Sequence, residues 1–452
     1  HGDRARQLQE RTDRSNKPIV AIVGRPNVGK STLFNRLMGQ RRAIVSDKAG
    51  TTRDRVIAET EWAEKPFLLV DTGGLDLFPK TELWNQVRDQ IYYAIDECDV
   101  ITLLVDVVDG ITAADIDIAD LIRMTGKPIV LVASKADNSE RVALATDLYE
   151  LGLGDPVPIS AYHNHGLDEL MERILEHFPE EVAFPEPEAD FRLAIIGRTN
   201  VGKSMLLNAI TGENRAIVSE ESGTTRDSLD TKIKYKDRDI QLIDTAGIRR
   251  RGRIEQGIER YSVLRSVRAI DRCHVAALVI DASESATGQD THIANFVLDA
   301  FKGIVIVVNK WDLSRDLGIG RAKMEALVRN KFKFASYAPI CFTSGLHEAG
   351  IDELLDTSLR VQTEWSKGVP RPDVRRTILT AVAEHPPASQ GRRELKIYSA
   401  MQDSTMPPSF TFFVNHSDMI HFSYRRYLEN KLRDEYTFEG SPLRMRFRGW
   451  KG

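Results

Sequence analysis

Hydrophobic and polar positions along the chain follow two rhythms. PIVAIV at 18–23 is an unbroken apolar run that ends in a glycine-bearing loop and gives way to helical spacing, and FRLAII at 191–196 opens the same succession again. Further apolar runs at 67–70, 100–105 and 128–132 alternate with helical stretches. Short apolar runs without polar alternation are strands buried on both faces, and such βα alternation predicts a parallel sheet covered by helices. After Gln362 the pattern changes. A helix is predicted over 375–384, strands over 394–401 and 409–415, and a helix over 423–436 with Tyr424, Leu428 and Leu432 on one face. A last strand is predicted over 442–448, where Leu443, Met445 and Phe447 alternate with Arg444, Arg446 and Arg448. Period-two spacing buries the first three and aims three arginines at one outer face. The order α-β-β-α-β describes a small α+β domain.

The two longer segments repeat each other. GRPNVGKS at 24–31 recurs as GRTNVGKS at 197–204, RAIVS at 42–46 recurs at 215–219, GTTRD at 50–54 recurs at 223–227, and DTGG at 71–74 becomes DTAG at 244–247, each at an offset of 173 residues. Four motifs in register mean a duplicated domain. PEEVAFPEPEAD at 179–190 joins the copies; three prolines, five acidic residues and no basic one predict an extended, self-repelling linker. Residues 1–17 are almost wholly polar, lack the apolar core of a signal peptide, and are expected to be a flexible tail. The expected order is tail 1–17, first domain 18–178, linker 179–190, second domain 191–364 and α+β domain 365–452.

Composition narrows the partners. No apolar run approaches the ~18 residues of a helical membrane span. Cys98, Cys273 and Cys341 are scattered without CxxC spacing, which argues against a disulfide framework or zinc ribbon and for a reducing compartment, the cytoplasm. The net charge of −4 conceals an asymmetry: residues 366–452 hold 15 basic against 9 acidic side chains, the first 365 hold 47 against 57. A basic terminal segment suits an anionic partner such as nucleic acid, or is a solvated face.

GxxxxGK[ST] places Gly24, Gly29, Lys30 and Ser31 at one strand-to-helix turn and Gly197, Gly202, Lys203 and Ser204 at another. Glycines let the backbone wrap closely, so that its N–H groups and the helix N-terminus cradle phosphates. The lysine reaches the β- and γ-phosphates and the hydroxyl ligates Mg²⁺. Asn27, Val28 and Thr32, with Asn200, Val201 and Met205, complete the expected phosphate-binding set. Asp71 and Asp244 end apolar strands and begin DxxG, where an aspartate holds Mg²⁺ through water. Gly74 and Gly247 can donate a backbone N–H to the γ-phosphate. Thr52 and Thr225 lie between the two motifs, where a loop threonine adds a Mg²⁺ ligand or merely turns the chain.

VVNKWD at 307–312 reads a base. Asp312 can accept from guanine N1–H and N2–H₂, Asn309 can donate to O6, and Lys310 packs along the base plane. Adenine lacks that donor pair, so the motif selects GTP over ATP. The first copy, ASKAD at 133–137, keeps Lys135 and Asp137 but has Ser134 where asparagine is expected. Ser160 and Ala161, like Ser344 and Gly345, are the expected backbone donors behind the base. Serine is one group shorter, so its direct bond to O6 is missing or water-bridged, about 2- to 13-fold in affinity, while Asp137 preserves guanine selectivity.

Together these motifs resemble the double-Era GTPase family, Der or EngA, over essentially residues 18–450. DTAGIRRRGRI at 244–254, RYSVLRSVRAI at 260–270, VVNKWDL at 307–313 and HFSYRRYLENKLR at 421–433 carry the likeness. The resemblance implies an α/β chain of two tandem P-loop GTPase domains followed by a KH-like domain, using GTP, GDP and Mg²⁺. It implies a bacterial or organellar monomer, with no membrane partner, that assists maturation of the 50S ribosomal subunit as nucleotide state rearranges its domains on ribosomal RNA. Ser134, Thr199, Met205 and Gly345 depart from the family text. The KH-like segment lacks the GxxG loop that clamps single-stranded backbone, which leaves it either RNA binding or docking on the GTPase domains.

Hydrolysis is read from an absence. Leu75 and Ile248 follow DxxG where many GTPases place a water-orienting glutamine. Asn27 and Asn200 match the position that ligates K⁺ in potassium-activated relatives, or they brace the loop. Slow turnover, within a few decades of ~10⁻⁴ to 10⁻² s⁻¹, stimulated by K⁺, is expected. Arg249, Arg250, Arg251 and Arg253 form a cluster that a γ-phosphate-ordered loop would carry to RNA phosphate or to an acidic face. A metabolic nucleotide kinase is opposed by Asn309–Asp312 and by the lack of a second-substrate lid. A scaffold with one inactive site stays open for the first domain through Ser134.

Overall fold

The computed structural model describes residues 17–40, 57–63, 65–72, 98–178, 190–212, 230–245, 263–284, 286–316, 318–387 and 393–450. They form two compact units, one of residues 17–178 with 263–265 and one of 190–245 with 266–450.

In the first unit, β1 (Ile19–Val23) leads into α1 (Lys30–Gln40), and β2 (Ile57–Trp62) and β3 (Lys65–Asp71) follow. β4 (Val100–Asp106) precedes α2 (Ala113–Arg123), β5 (Ile129–Ser134) precedes β6 (Val157–Pro158), and α3 (Leu167–Glu176) closes the unit. Every residue of β1 and of β4 is buried, as unbroken apolar strands under helices on both faces must be. α3 supplies part of the cover through Leu167, Leu170, Met171 and Ile174, a stripe at helical spacing. Each such side chain buried contributes about 1.5–3 kcal/mol. The sheet order is β2-β3-β1-β4-β5-β6. All neighbours are parallel except β2 and β3. That antiparallel edge departs from the parallel sheet expected from the pattern, because two residues between strands are too few for a crossover.

The second unit repeats the arrangement. β7 (Phe191–Ile196) leads into α4 (Lys203–Ile210), then come β8 (Thr231–Tyr235), β9 (Arg238–Ile243), β10 (Val275–Asp281), α5 (Gly288–Asp299), β11 (Gly303–Asn309), β12 (Ile340–Phe342) and α6 (Ile351–Trp365). The order β8-β9-β7-β10-β11-β12 is that of the first sheet, element for element. In both sheets the order reverses beside the first strand, and the crevice at the strands' carboxyl ends there is where open α/β sheets bind ligands.

The α+β domain belongs to the second unit. α7 (Arg371–Glu384), β13 (Ile397–Ser404), β14 (Ser409–Val414), α8 (Phe422–Tyr436) and β15 (Arg444–Gly449) follow the order read from the sequence. β14 is antiparallel to β13 and parallel to β15. α7 starts at Arg371, not 375, because Pro372 fits a first turn where no N–H is needed. Val374, Ile378, Phe410, Phe412, Leu428 and Leu432 form its core.

This domain docks at the amino end of β11, away from the carboxyl-end crevice. Ile304 N–H donates to Gly440 O and Gly440 N–H donates to Tyr337 O, both at 2.8 Å. The Arg433 guanidinium lies 3.6 Å from the Tyr337 ring centre, and that of Arg444 lies 4.4 Å from the Phe301 ring centre. The common outer face of three arginines is therefore not formed. Arg444 covers Phe301, Arg446 faces Asp403 at 3.4 Å, and only Arg448 is exposed; Leu443 and Met445 are buried but Phe447 is half-buried. Alternation along a strand sets the face, not what another domain brings against it. Among the described residues no helix is long and apolar enough to cross a membrane, and the three cysteines are buried and form no disulfide.

Candidate nucleotide-binding sites

Both phosphate loops leave their strands pressed against the neighbouring strand. Gly24 has φ 154° and Gly197 φ 146°, and a Cβ on them would lie 2.6 Å from Leu104 O and 2.4 Å from Val279 O. Only glycine fits there. Val28 and Val201 are buried beneath the loops. Asn27 (φ 67°) and Asn200 (φ 62°) take the left-handed conformation that asparagine tolerates best among side-chain-bearing residues. Both are exposed, and among the described residues neither side chain has a hydrogen-bond partner. Among the described residues their carboxamides make no brace on the loop. Lys30 Nζ donates to Gly24 O at 2.9 Å and Arg25 O at 2.8 Å, and Lys203 Nζ donates to Arg198 O. Burial pulls the Lys30 ammonium below the usual lysine range, against the pull of Asp71. Thr32 and Met205 are exposed on the first turns of α1 and α4.

In the first copy Ser31 Oγ donates to Asp71 Oδ2 at 2.7 Å. Two hard oxygens meet beside the phosphate cradle, a donor set that fits Mg²⁺. Asp244 has φ 57°, and its N–H donates to Asp230 Oδ1 at 2.8 Å. Asp230 also accepts from Gln241 Nε2 at 3.0 Å and pairs with Arg272. Asp230 and Arg272 escape sequence reading because neither has a counterpart in a repeated motif. Thr52, Gly74, Leu75, Thr225, Gly247, Ile248, Arg249, Arg250, Arg251 and Arg253 lie outside the described residues.

The candidate base-reading residues converge in each unit. Ser160 Oγ donates to Asp137 Oδ1 at 2.6 Å, and Ser344 Oγ donates to Asp312 Oδ1 at 2.5 Å. Arg141 occupies the other oxygen of Asp137 at 2.7 Å. Asn309 Nδ2 donates to Val201 O at 2.8 Å, while its Oδ1 accepts from Thr343 Oγ1 at 3.1 Å and Gly345 N at 3.2 Å. Ser134 Oγ donates to Val28 O at 2.8 Å, with Val105 O at 3.1 Å. Serine keeps the brace on the phosphate loop; what it lacks is the amide oxygen. Ile159 stands where Thr343 stands in the second copy, its N–H on Ala133 O as that of Thr343 is on Val308 O, both at 2.9 Å. Ala161 takes the place of Gly345, where a Cβ would lie 2.8 Å from Leu206 N. In the first copy that loop is held by Arg36, which donates to Ala161 O and Tyr162 O at 2.8 Å.

Four further ion pairs went unread in the sequence. Lys135 Nζ meets Asp106 Oδ2 at 2.5 Å and Lys310 Nζ meets Asp281 Oδ2 at 2.6 Å, which fixes the lysine stems. Burial alone would raise the Asp281 carboxyl, but hydrogen bonds from Lys310 and Ser283 hold it below the usual range. Arg25 reaches buried Asp115 at 3.3 Å and Arg198 reaches buried Asp290 at 3.4 Å. These aspartates close capping boxes with Thr112 and Thr287, so each phosphate loop is tied to a helix start. The repeated TxxD spacing was the available signal.

Comparison with known proteins decides the family. A family model described as 50S ribosome-binding GTPase matches residues 19–135 and 192–310, and one described as the C-terminal KH-domain-like region of EngA bacterial GTPase enzymes matches 369–448. GTPase Der of Herpetosiphon aurantiacus is 48% identical over 440 residues, covering 96% of this chain and 97% of the relative. The chain belongs to the Der GTPase family. GTPase Der of Chloroflexus aggregans is 49% identical over 96% of this chain and 98% of its own, and that of Thermomicrobium roseum 49% over 95% and 96%. A Der GTPase is a GTP-hydrolysing enzyme of tandem GTPase domains with a KH-like domain, and the two sheets and the α+β domain have that architecture.

Proposed function

We propose that this chain is a two-site GTP switch that acts in the cytoplasm, as a monomer, in maturation of the 50S ribosomal subunit. One observation carries the reading: phosphate loop, Ser31–Asp71 pair and base-reading aspartate occupy the same strand ends in one unit as their counterparts do in the other. The description of the matching family as 50S ribosome-binding supports the partner.

Lys30 and Lys203 move from their loop carbonyls to the β- and γ-phosphates. Ser31, Thr52 and Asp71, with Ser204, Thr225 and Asp244, hold Mg²⁺, which neutralises phosphate charge when bound. Gly74 and Gly247 offer N–H groups to the γ-phosphate. Asn27 and Asn200 ligate K⁺, a role their exposed, unengaged carboxamides support. With Leu75 and Ile248 orienting no water, turnover is slow. The retained brace of Ser134 on Val28 supports a first site that still binds nucleotide. Co-sedimentation with purified 50S subunits under a GTP analogue and under GDP tests the reading; identical sedimentation in both would contradict it.

A further inference from the structure

The KH-like domain holds a cleft of about 430 Å³ lined by Arg371, Pro372, Arg375, Tyr398, Ser399 and Trp450. Tyr398 is 42% and Trp450 50% exposed. Their ring centres are 6.4 Å apart and the planes are tilted by 43°. Paired aromatics left half in water are the kind of apolar surface that marks a binding site. Neither residue is loose. The backbone N–H of Trp450 donates to Val414 O at 2.7 Å, and Phe413 meets the indole edge-on at 5.4 Å. Tyr398 falls at the register shift between Ile397 and Ser399, where a bulge re-aims a side chain out of strict alternation. Arg371 and Arg375, one turn apart on α7, are exposed, and neither has an ion-pair partner among the described residues. Arg376 beside them is paired, with Asp373 at 2.9 Å.

We propose that this cleft seats a single-stranded RNA segment, an unpaired base stacking on Trp450 and Tyr398 and the flanking phosphates meeting Arg371 and Arg375. Aromatic platforms beside guanidinium groups are how single strands are held without base-specific hydrogen bonds. This mode needs no GxxG clamp. A duplex keeps its bases stacked inside and cannot use the rings. The charge excess of residues 366–452 adds a general attraction for phosphate. The proposed ribosomal role names a source for such RNA, but the chemistry of the cleft stands apart from it.

The test is fluorescence anisotropy of the full chain, with GDP bound, against a labelled mixed-sequence RNA of about 12 nucleotides, with its duplex as competitor. Trp450→Ala is expected to weaken binding about 5- to 150-fold, and Trp450→Phe to keep most of it. Arg371→Gln with Arg375→Gln should lower the slope of log K against log salt by about 0.7 for each phosphate left without its arginine. Unchanged GTP hydrolysis and thermal unfolding establish that the variants are folded. Equal binding by parent and variants, or a duplex that competes as well as the single strand, overturns the proposal. So does a result in which the variants leave RNA binding unchanged but alter nucleotide-dependent compaction in X-ray scattering, which would make the cleft a seat for another part of the chain. Loss of 50S co-sedimentation with oligonucleotide binding intact would count against the ribosomal role, not against the cleft.

Discussion

Ser134 Oγ reaches Val28 O at 2.8 Å, and Asn309 Nδ2 reaches the matching Val201 O at the same 2.8 Å. The two base-reading positions therefore share one structural task and differ in a second, because Asn309 also offers an oxygen that Thr343 and Gly345 satisfy. Ile159, in the place of Thr343, has no hydroxyl to give. In the second copy a Cβ on Gly202 would lie 2.4 Å from Asn309 Nδ2, whereas a Cβ on Gly29 would have nothing within 4 Å. Room for an asparagine exists in the first site; its partner does not.

Restoring asparagine alone is consequently a small change. Ser134→Asn is expected to raise GDP affinity of the first site less than about 2-fold, and Ser134→Asn with Ile159→Thr by about 2- to 13-fold, one neutral hydrogen bond. Calorimetric titration of the full chain with Lys203→Ala blocking the second site would read it. A full gain from the single variant would show that Thr343 is not what orients Asn309.

The proposed K⁺ ligation by Asn27 and Asn200 has a direct kinetic readout. Steady-state hydrolysis should be faster in K⁺ than in matched Na⁺, and Asn27→Ala and Asn200→Ala should each remove that difference at one site. Equal rates in the two salts would rule out the cation role.

Asp281→Asn should release Lys310 from its charge-assisted bond and loosen the stem proposed to lie along the base. The expected result is a KM for GTP at the second site raised about 5-fold with kcat unchanged, since the contact serves ground state and transition state alike. A fall in kcat at constant KM would place Asp281 in the chemistry instead.

His274 gives a stability prediction. Burial, aided by the charges of Arg192 and Lys302, pushes its imidazole down to about 3, and its ring stacks on Trp365 with centres 5.6 Å apart. Unfolded histidine titrates near 6.5, so below that pH the unfolded chain binds the extra proton. Stability is fully present above about pH 6.5 and falls by roughly 1.4 kcal/mol per unit as pH drops towards the folded value. Urea unfolding of the second unit between pH 6.5 and 5 should show that slope, and His274→Gln should remove it. Parallel pH profiles would contradict the assignment.

Much of this architecture is written locally. Four motifs at a 173-residue offset announce the duplication, and unbroken apolar runs announce β1, β4 and their counterparts. The order of the α+β domain is legible because period-two and period-3.6 patterns do not overlap there. What was not legible depends on partners far apart in the chain. Asp281 reads as an ordinary strand end until Lys310, 29 residues on, is seen to bond it. Arg444 reads as a solvent-facing strand residue until Phe301 is placed beneath it. Ser134 reads as a missing asparagine until Val28 O and Ile159 are found around it.

In the proposed switch, both nucleotide sites govern association with the large subunit. Lys30→Ala and Lys203→Ala each remove the lysine proposed to meet the γ-phosphate at one site while leaving the other intact. Co-sedimentation of each variant with purified 50S subunits under a non-hydrolysable GTP analogue measures this directly. Each single substitution is expected to reduce the bound fraction to that of the parent with GDP. If both variants sediment with the subunit as the parent does with the analogue, the two sites do not form the switch.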